Sequence, residues 1–175
     1  IHTQLGEDYD LYKMAIAYVL TMRGSPQIYY GTEILMTNPG TDGHGVIRSD
    51  FPGGWAGDRK NAISGKGLEA RERDAQKFVK TLLNWRRDKD VLHNGRLTHF
   101  VPEDGTYVYF RHDADESVMV VFNKNTEEVQ LDLGRFDERL EGFSGALDVV
   151  TGRDLSFGES LELPARSVMV LELRQ

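Results

Sequence analysis

The chain has 175 residues and no cysteine, and its 28 acidic and 21 basic residues give a net charge of −7. A chain of this charge offers no basic stripe for a phosphate backbone, so nucleic acid is not an expected partner. The lack of cysteine excludes disulfides and thiolate metal sites and leaves the cellular compartment open. The longest strongly apolar run, Met14 to Leu20, falls far short of the roughly 20 residues that span a bilayer, so no membrane segment is expected.

The first predicted element is a helix from about Asp8 to Arg23. Asp8 is a suitable N-cap because its carboxylate can accept hydrogen bonds from the first free backbone amides of a helix. Apolar residues then recur at helical spacing and also occupy much of the opposite side. A helix that is apolar nearly all round is expected to be covered by protein on more than one side.

A short buried strand is predicted at Gln27 to Tyr30, between the helix-ending sequence Gly24 to Pro26 and the turn former Gly31. A buried strand needs partners on its edges to satisfy its backbone donors and acceptors. The sequence predicts no other strand before about Asp90. We therefore expect this segment to belong to a larger sheet than the first half of the chain can supply.

A long loop is predicted from Gly31 to about Gly67. Connections longer than about 12 to 15 residues in compact domains are usually functional or disordered. Phe51 and Trp55 stand out because they are large apolar groups in a polar sequence rich in turn formers. Such rings can stack on the apolar face of a sugar. The alternative is that both rings anchor the loop to the fold.

A second helix is predicted from about Glu69 to Asp88. Its polar residues leave one apolar stripe, which is formed by Ala75, Phe78, Val79, Leu82, Leu83 and Trp85. Covering such a stripe stabilises a protein by about 1.5 to 3 kcal/mol for each large side chain that is fully buried. Without a covering partner, this surface is expected to cause self-association or local disorder.

From Asn94 onward, short strands separated by turn signals are predicted every 8 to 12 residues, which is typical of an antiparallel sandwich of seven or eight strands. The predicted strands are Leu97 to Val101, Tyr107 to Arg111, Val118 to Asn123, Val129 to Leu133, Ala146 to Val149, Ser160 to Leu163 and Val168 to Leu173. Alternation along the second strand places Tyr107 and Tyr109 on one face and Phe110 on the other, as core packing requires. A carbohydrate platform made of these rings is the less favoured alternative.

The stretch GSPQIYYGTE resembles the end of the catalytic barrel in glycoside hydrolase family 13, the α-amylase family. The matching residues, all in pattern order, are Pro26, Ile28, Tyr29, Tyr30, Gly31 and Glu33. The later stretch TDGHGVIRSDFPGGW is most similar to the branch of neopullulanases, cyclomaltodextrinases and maltogenic amylases. The resemblance implies an α+β fragment: residues 1–93 as the last βα unit of a (β/α)₈ barrel, and residues 94–175 as the closing β-sandwich domain.

The resemblance also implies which residues of the loop contact substrate. Asp42 and Arg48 match an acidic residue and an arginine that contact sugar in the minus subsites, with Asp50 as the alternative acidic contact. Together with Phe51 and Trp55, they form the predicted substrate-binding set. Glu33 matches a glutamate that supports the loop and is not catalytic in the family.

The catalytic carboxylates of the family are not found in this sequence. Retaining glycosidases need a nucleophilic carboxylate and a second carboxyl group as acid and base. Ile1 to Thr3 resemble the residues just after the family's Asn-His-Asp motif, so the chain is expected to start downstream of that motif. We therefore expect no catalytic residue, cofactor or metal site here, and no activity of the chain alone.

The expected parent is a bacterial enzyme that hydrolyses α-1,4 or α-1,6 glucosidic bonds, with an α-glucan or maltooligosaccharide as substrate. Its expected protein partners are the missing part of the barrel and, through the exposed barrel face, a second copy. Transglycosylation by the same intermediate is one alternative. The other is a sandwich module that binds glycan or protein without catalysis, which predicts that residues 1 to 90 pack stably by themselves.

Overall fold

The structure is a computed structural model that describes residues 1–37, 45 and 48–175. Its α-helices are α1 (Tyr9–Thr21), α2 (Ala70–Arg87), α3 (Asp90–His93) and α4 (Asp137–Leu140). Its strands are β1 (Arg96–His99), β2 (Thr106–His112), β3 (Ser117–Asn123), β4 (Val129–Asp132), β5 (Gly145–Asp148), β6 (Asp154–Ser156), β7 (Ser160–Leu163) and β8 (Ser167–Arg174). Short 3₁₀ turns occur at Thr3–Leu5, Thr32–Ile34 and Gly134–Phe136.

The strands form two antiparallel sheets. The larger sheet has the order β1-β2-β3-β8-β5-β6, and β4 and β7 form a separate pair. β3 lies at the centre of the larger sheet, where Val120 is opposite Tyr109 of β2 and Val170 of β8. The predicted antiparallel sandwich is confirmed, and the two central strands lie within a residue or two of their expected positions.

The larger sheet is buried on both of its faces. Along β3, Val118, Val120 and Phe122 point into a core shared with α1 and α2, whereas Met119 and Val121 point toward β4 and β7. This alternation follows from the period of two in a strand. Tyr109 lies in the helix-facing core and Phe110 in the other, so the predicted core role of both rings is confirmed.

Both long helices begin where their sequences predict. The Asp8 carboxylate accepts hydrogen bonds from the amides of Asp10 and Leu11, each at 3.0 Å, and so caps α1. Glu69 and Glu72 form a reciprocal capping box at the start of α2. These caps satisfy amides that a helix cannot bond internally. Among the described residues, no helix is long and apolar enough to cross a membrane.

The predicted strand at Gln27 to Tyr30 is wrong. This segment carries no strand assignment and pairs with neither sheet. The Tyr29 carbonyl instead accepts a hydrogen bond from the Thr32 amide at 3.1 Å, which starts a 3₁₀ turn. A strand is defined by a hydrogen-bonded neighbour, and the described part of the chain places none beside this segment.

The apolar stripe of α2 is largely covered within the chain, contrary to expectation. Ala75, Val79 and Leu82 are buried in the core shared with α1 and the larger sheet, whereas Leu83 is 42% exposed. That core contains residues from both sides of the predicted division between residues 1–93 and 94–175. The division into two domains stays a prediction.

Candidate functional site

The loop after Gly31 is anchored by a small core of its own. Ile34, Ala62 and Leu68 are buried together, and Met36 and Phe51 pack against them. The Phe51 ring therefore contributes to holding the loop in place. This contact favours the anchoring role over sugar stacking for Phe51, because a ring that is packed against protein has less of its face available.

Trp55 is the exposed aromatic residue of this loop. The residue is 68% exposed and lies in a tight turn of the backbone. One carboxylate oxygen of Asp58 accepts hydrogen bonds from the amides of Gly53, at 2.7 Å, and Trp55, at 3.1 Å. The Gly53 bond and then the Trp55 bond hold the pKa of Asp58 below its usual value.

The turn depends on glycine at position 53. Gly53 has φ +107°, and a Cβ atom there would lie 2.7 Å from Asn61 Cγ and 2.9 Å from Asn61 Cα. Both the backbone conformation and the close approach therefore favour glycine. The Pro52 carbonyl beside it accepts a hydrogen bond from the Ala62 amide at 3.0 Å, which ties the turn to the small core.

Arg48 and Asp50 are exposed and lie near Tyr30. The Tyr30 hydroxyl donates to the Ser49 carbonyl at 3.0 Å, so the ring is bonded to the segment between the two charged residues. Desolvation and then the contact with Tyr29 raise the pKa of Tyr30. The Asp50 carboxylate adds to this shift and Arg48 opposes it. The structure therefore brings Arg48 and Asp50 to the end of the YYG sequence. Asp42 lies outside the described residues.

An apolar groove of about 400 Å³ lies between the YYG segment and α2. Ile28, Tyr29, Tyr30, Val79 and Leu83 line its apolar part. Tyr29 is 58% exposed and Tyr30 42% exposed, and their ring centroids are 4.7 Å apart. Large aromatic rings are usually buried in folded proteins, so two exposed rings in one groove are unusual for a protein surface.

The described residues hold no group of three or more His, Asp or Glu side chains arranged for a metal ion. Glu33 lies next to Tyr12, whose hydroxyl donates to the Thr32 carbonyl at 2.9 Å. Burial and then the Glu33 carboxylate raise the pKa of Tyr12. The role of Glu33 in supporting the loop stays a prediction.

Sequence reasoning missed Asp58. Its role depends on a backbone turn that brings the amides of Gly53 and Trp55 to one oxygen, and no motif predicts that turn. The available signal was an aspartate three residues after an exposed tryptophan in a glycine-rich stretch, where short polar side chains commonly bond to nearby backbone.

A comparison with known protein families finds a match to the second half of the chain. Residues 97–172 match the family described as the cyclomaltodextrinase C-terminal domain. The match covers less than half of the chain. The matched stretch runs from β1 into β8.

Relatives of known name extend the similarity to the first half. The chain is 28% identical over 179 residues to a maltogenic α-amylase of Bacillus acidopullulyticus, covering 98% of this chain and 27% of the relative. It is 28% identical over 131 residues to a cyclomaltodextrinase of Geobacillus thermopakistaniensis, covering 74% of this chain and 20% of the relative. The chain therefore spans less than a third of either relative.

Solved structures share the fold. An α-amylase from Geobacillus thermoleovorans complexed with acarbose superposes with a TM-score of 0.67 at 22% identity, covering 95% of this chain and 34% of that chain. A maltogenic amylase from S. marinus gives a TM-score of 0.62 at 15% identity, covering 99% and 21%. The resemblance to the α-amylase family is thereby confirmed.

Proposed function

We propose that this chain is a C-terminal part of an α-glucan-acting enzyme, in which residues 1–93 complete a (β/α)₈ barrel and residues 94–175 form the closing sandwich. The parent enzyme cleaves α-1,4 or α-1,6 glucosidic bonds of maltooligosaccharides with retention. Two carboxylates outside this chain act as nucleophile and as acid and base. The chain alone is inactive, because the loop after Gly31 supplies binding groups and no catalytic pair.

The uncovered YYG segment carries this proposal. Tyr29 and Tyr30 are exposed beside Leu83 of α2, and the segment is paired with no strand of the described residues. Adding neighbouring barrel strands and helices buries this surface and satisfies the backbone of the segment. The similarity of the whole chain to a maltogenic α-amylase supports the same assembly.

The position of the loop supports a role in substrate binding. In a (β/α)₈ barrel, loops that follow strands lie at the face where active sites are built. Arg48 and Asp50 flank the hydroxyl contact of Tyr30, and Trp55 presents an exposed ring. We assign Trp55, Arg48 and Asp50 to glucan contacts, and retain Asp42 in this set on the resemblance alone.

The test uses the full-length parent with maltooligosaccharides. Trp55→Ala and Arg48→Ala are expected to raise KM several-fold, because each removes a contact to bound sugar. Lys66→Ala, an exposed residue farther along the loop, is the control and is expected to leave KM unchanged. Unchanged KM in both test variants would contradict the assigned contacts. Release of reducing sugar by the 175-residue chain alone would contradict its inactivity.

Transglycosylation is the second candidate. Relatives from Klebsiella oxytoca and Geobacillus stearothermophilus, which are 28% and 30% identical over 63% and 65% of this chain, are named cyclomaltodextrin glucanotransferase. Water and a sugar hydroxyl differ only as acceptors of the same intermediate. Product analysis of the parent separates the two reactions, since glucanotransferase activity gives cyclic or elongated glucans and hydrolysis gives only shorter ones.

A further inference from the structure

One carboxylate organises the turn that carries Trp55. A single oxygen of Asp58 bonds the amides of Gly53 and Trp55 at 2.7 and 3.1 Å, and the Asp58 amide lies 3.3 Å from the Trp55 carbonyl. Hydrogen bonds to an ionised acceptor are stronger than those between neutral groups. The two ends of the turn are therefore fixed to each other by one side chain.

The orientation of the Trp55 ring depends on this turn. Because its side chain is 68% exposed, few side-chain contacts restrain the ring. The turn itself is fixed at its base, where the Ala62 amide bonds the Pro52 carbonyl at 3.0 Å and Ala62 is buried. The backbone at Trp55 is consequently held between the small core on one side and Asp58 on the other.

We propose that Asp58 is a positioning residue that presents the Trp55 indole for stacking on a glucan. This inference rests on the proposed function of Trp55. A ring that is already oriented loses less conformational freedom when it binds, so preorganisation of the turn strengthens binding without any contact between Asp58 and sugar. Among the described residues, the Asp58 carboxylate accepts its hydrogen bonds from backbone amides of the turn, which distinguishes it from the proposed sugar-contacting residues.

The test compares Asp58→Ala with Asp113→Ala in the 175-residue chain labelled with ¹⁵N. Asp113 is a matched control, because its carboxylate also accepts two amides of a surface turn, at 2.8 Å each, on the hairpin between β2 and β3. The amides of Gly53 and Trp55 and the two indole N–H groups are followed by relaxation and hydrogen exchange. Trp85, whose indole bonds Glu172 at 3.0 Å, is the internal reference.

Asp58→Ala is expected to speed exchange of the Gly53 and Trp55 amides several-fold and to raise the mobility of the Trp55 indole alone. Asp113→Ala is expected to change neither. If Asp58→Ala leaves the Trp55 amide and indole as in the original chain, the positioning role is overturned. Asp58→Glu reports whether a carboxylate on a longer side chain restores the turn, and a rigid Trp55 in that variant supports the proposal.

Sugar binding is measured separately in the full-length parent. Asp58→Ala is expected to raise KM for maltoheptaose with kcat little changed, and to have no added effect when Trp55 is already alanine. If Trp55→Ala leaves KM unchanged, the proposed function of Trp55 fails, and the part of the inference that concerns glucan fails with it. If Trp55→Ala raises KM but mobilising the turn does not, preorganisation is overturned while the contact stands.

Discussion

Replacing Leu82 by alanine tests whether the helices and the sandwich form one cooperative unit. Leu82 is 0% exposed and lies in the core that joins α1 and α2 to Val118, Val120 and Val170 of the larger sheet. Leucine-to-alanine changes in such cores cost about 2 to 5 kcal/mol. In a unit of this size, each kcal/mol lowers Tm by about 2 to 4 °C. Leu82→Ala is therefore expected to lower Tm by roughly 4 to 20 °C.

The neighbouring Leu83 provides the control. It is the same residue type on the same helix, but it is 42% exposed. Leu83→Ala is expected to change the free energy of unfolding by no more than about 0.5 kcal/mol. The assay follows helix content by circular dichroism and the sheet by hydrogen exchange of the β3 amides. If the helices and the sheet unfold as one unit, Leu82→Ala lowers the melting temperature of the helices and the exchange protection of the β3 amides together.

Separate melting would refute this reasoning. If Leu82→Ala lowers the melting of the helices while the β3 amides keep their original protection, the shared core does not couple the two halves. That result would also favour the binding-module hypothesis, in which residues 1 to 90 pack by themselves. Equal costs for Leu82→Ala and Leu83→Ala would show that burial in the structure does not govern the loss.

Two further predictions concern pH and association. Burial opposes ionisation of Glu172, but hydrogen bonds from Lys89 and Trp85 outweigh this effect and lower the pKa of Glu172. The ionised carboxylate therefore stabilises the folded protein above pH 4.5, and this stabilisation is lost as pH falls through the lowered pKa. Glu172→Gln is accordingly expected to flatten the acid limb of stability measured by urea unfolding between pH 6 and 3, and an unchanged limb would contradict this. The chain alone is expected to self-associate through the groove at Tyr29 and Leu83. Leu83→Glu should therefore shift the mass measured by light scattering toward that of the monomer. If the original chain is already monomeric, the expected self-association is refuted.

The local sequence pattern was sufficient to predict the central strands and the long helices. In β2, alternation alone placed Tyr109 and Phe110 on opposite faces, because the period of a strand does not depend on what covers it. β6 was missed because Asp154–Ser156 is three residues long and mostly exposed, and so carries no apolar alternation. The strand expected at Gln27 to Tyr30 was not formed for the opposite reason, since its residues suit a strand but no strand of the described residues pairs with it.

The sequence predicted which residues belong to the candidate site, but it did not predict which contacts each of them makes. Phe51 and Trp55 are both large aromatic residues of one loop, and no local signal separates them. The difference arises from long-range packing, because Phe51 contacts the cluster of Ile34 and Leu68 whereas Trp55 follows a turn closed by Asp58. Such contacts depend on tertiary structure, which single-sequence patterns do not contain.

The sandwich contacts the C-terminal end of α1. Arg111 of β2 is fully buried and donates to the Thr21 carbonyl at 3.1 Å, while the buried Arg86 of α2 donates to the Leu20 carbonyl at 2.7 Å. Burial lowers the pKa of both arginines, and within the described residues neither guanidinium bonds a carboxylate. The carbonyls at a helix C-terminus carry negative partial charge and partly compensate these cations.

One of these two arginines also contacts the segment that leads to Tyr29. Arg86 also reaches the Gly24 carbonyl at 3.4 Å, at the start of the segment that leads to Tyr29. A change at Arg111 is therefore expected to act on the end of α1, although Arg111 itself lies in the sandwich. Removing one partner of a buried polar contact costs more than the contact contributes, since the remaining carbonyls lose their donor without regaining water. The sandwich thus supports the end of α1 through the buried guanidinium of Arg111.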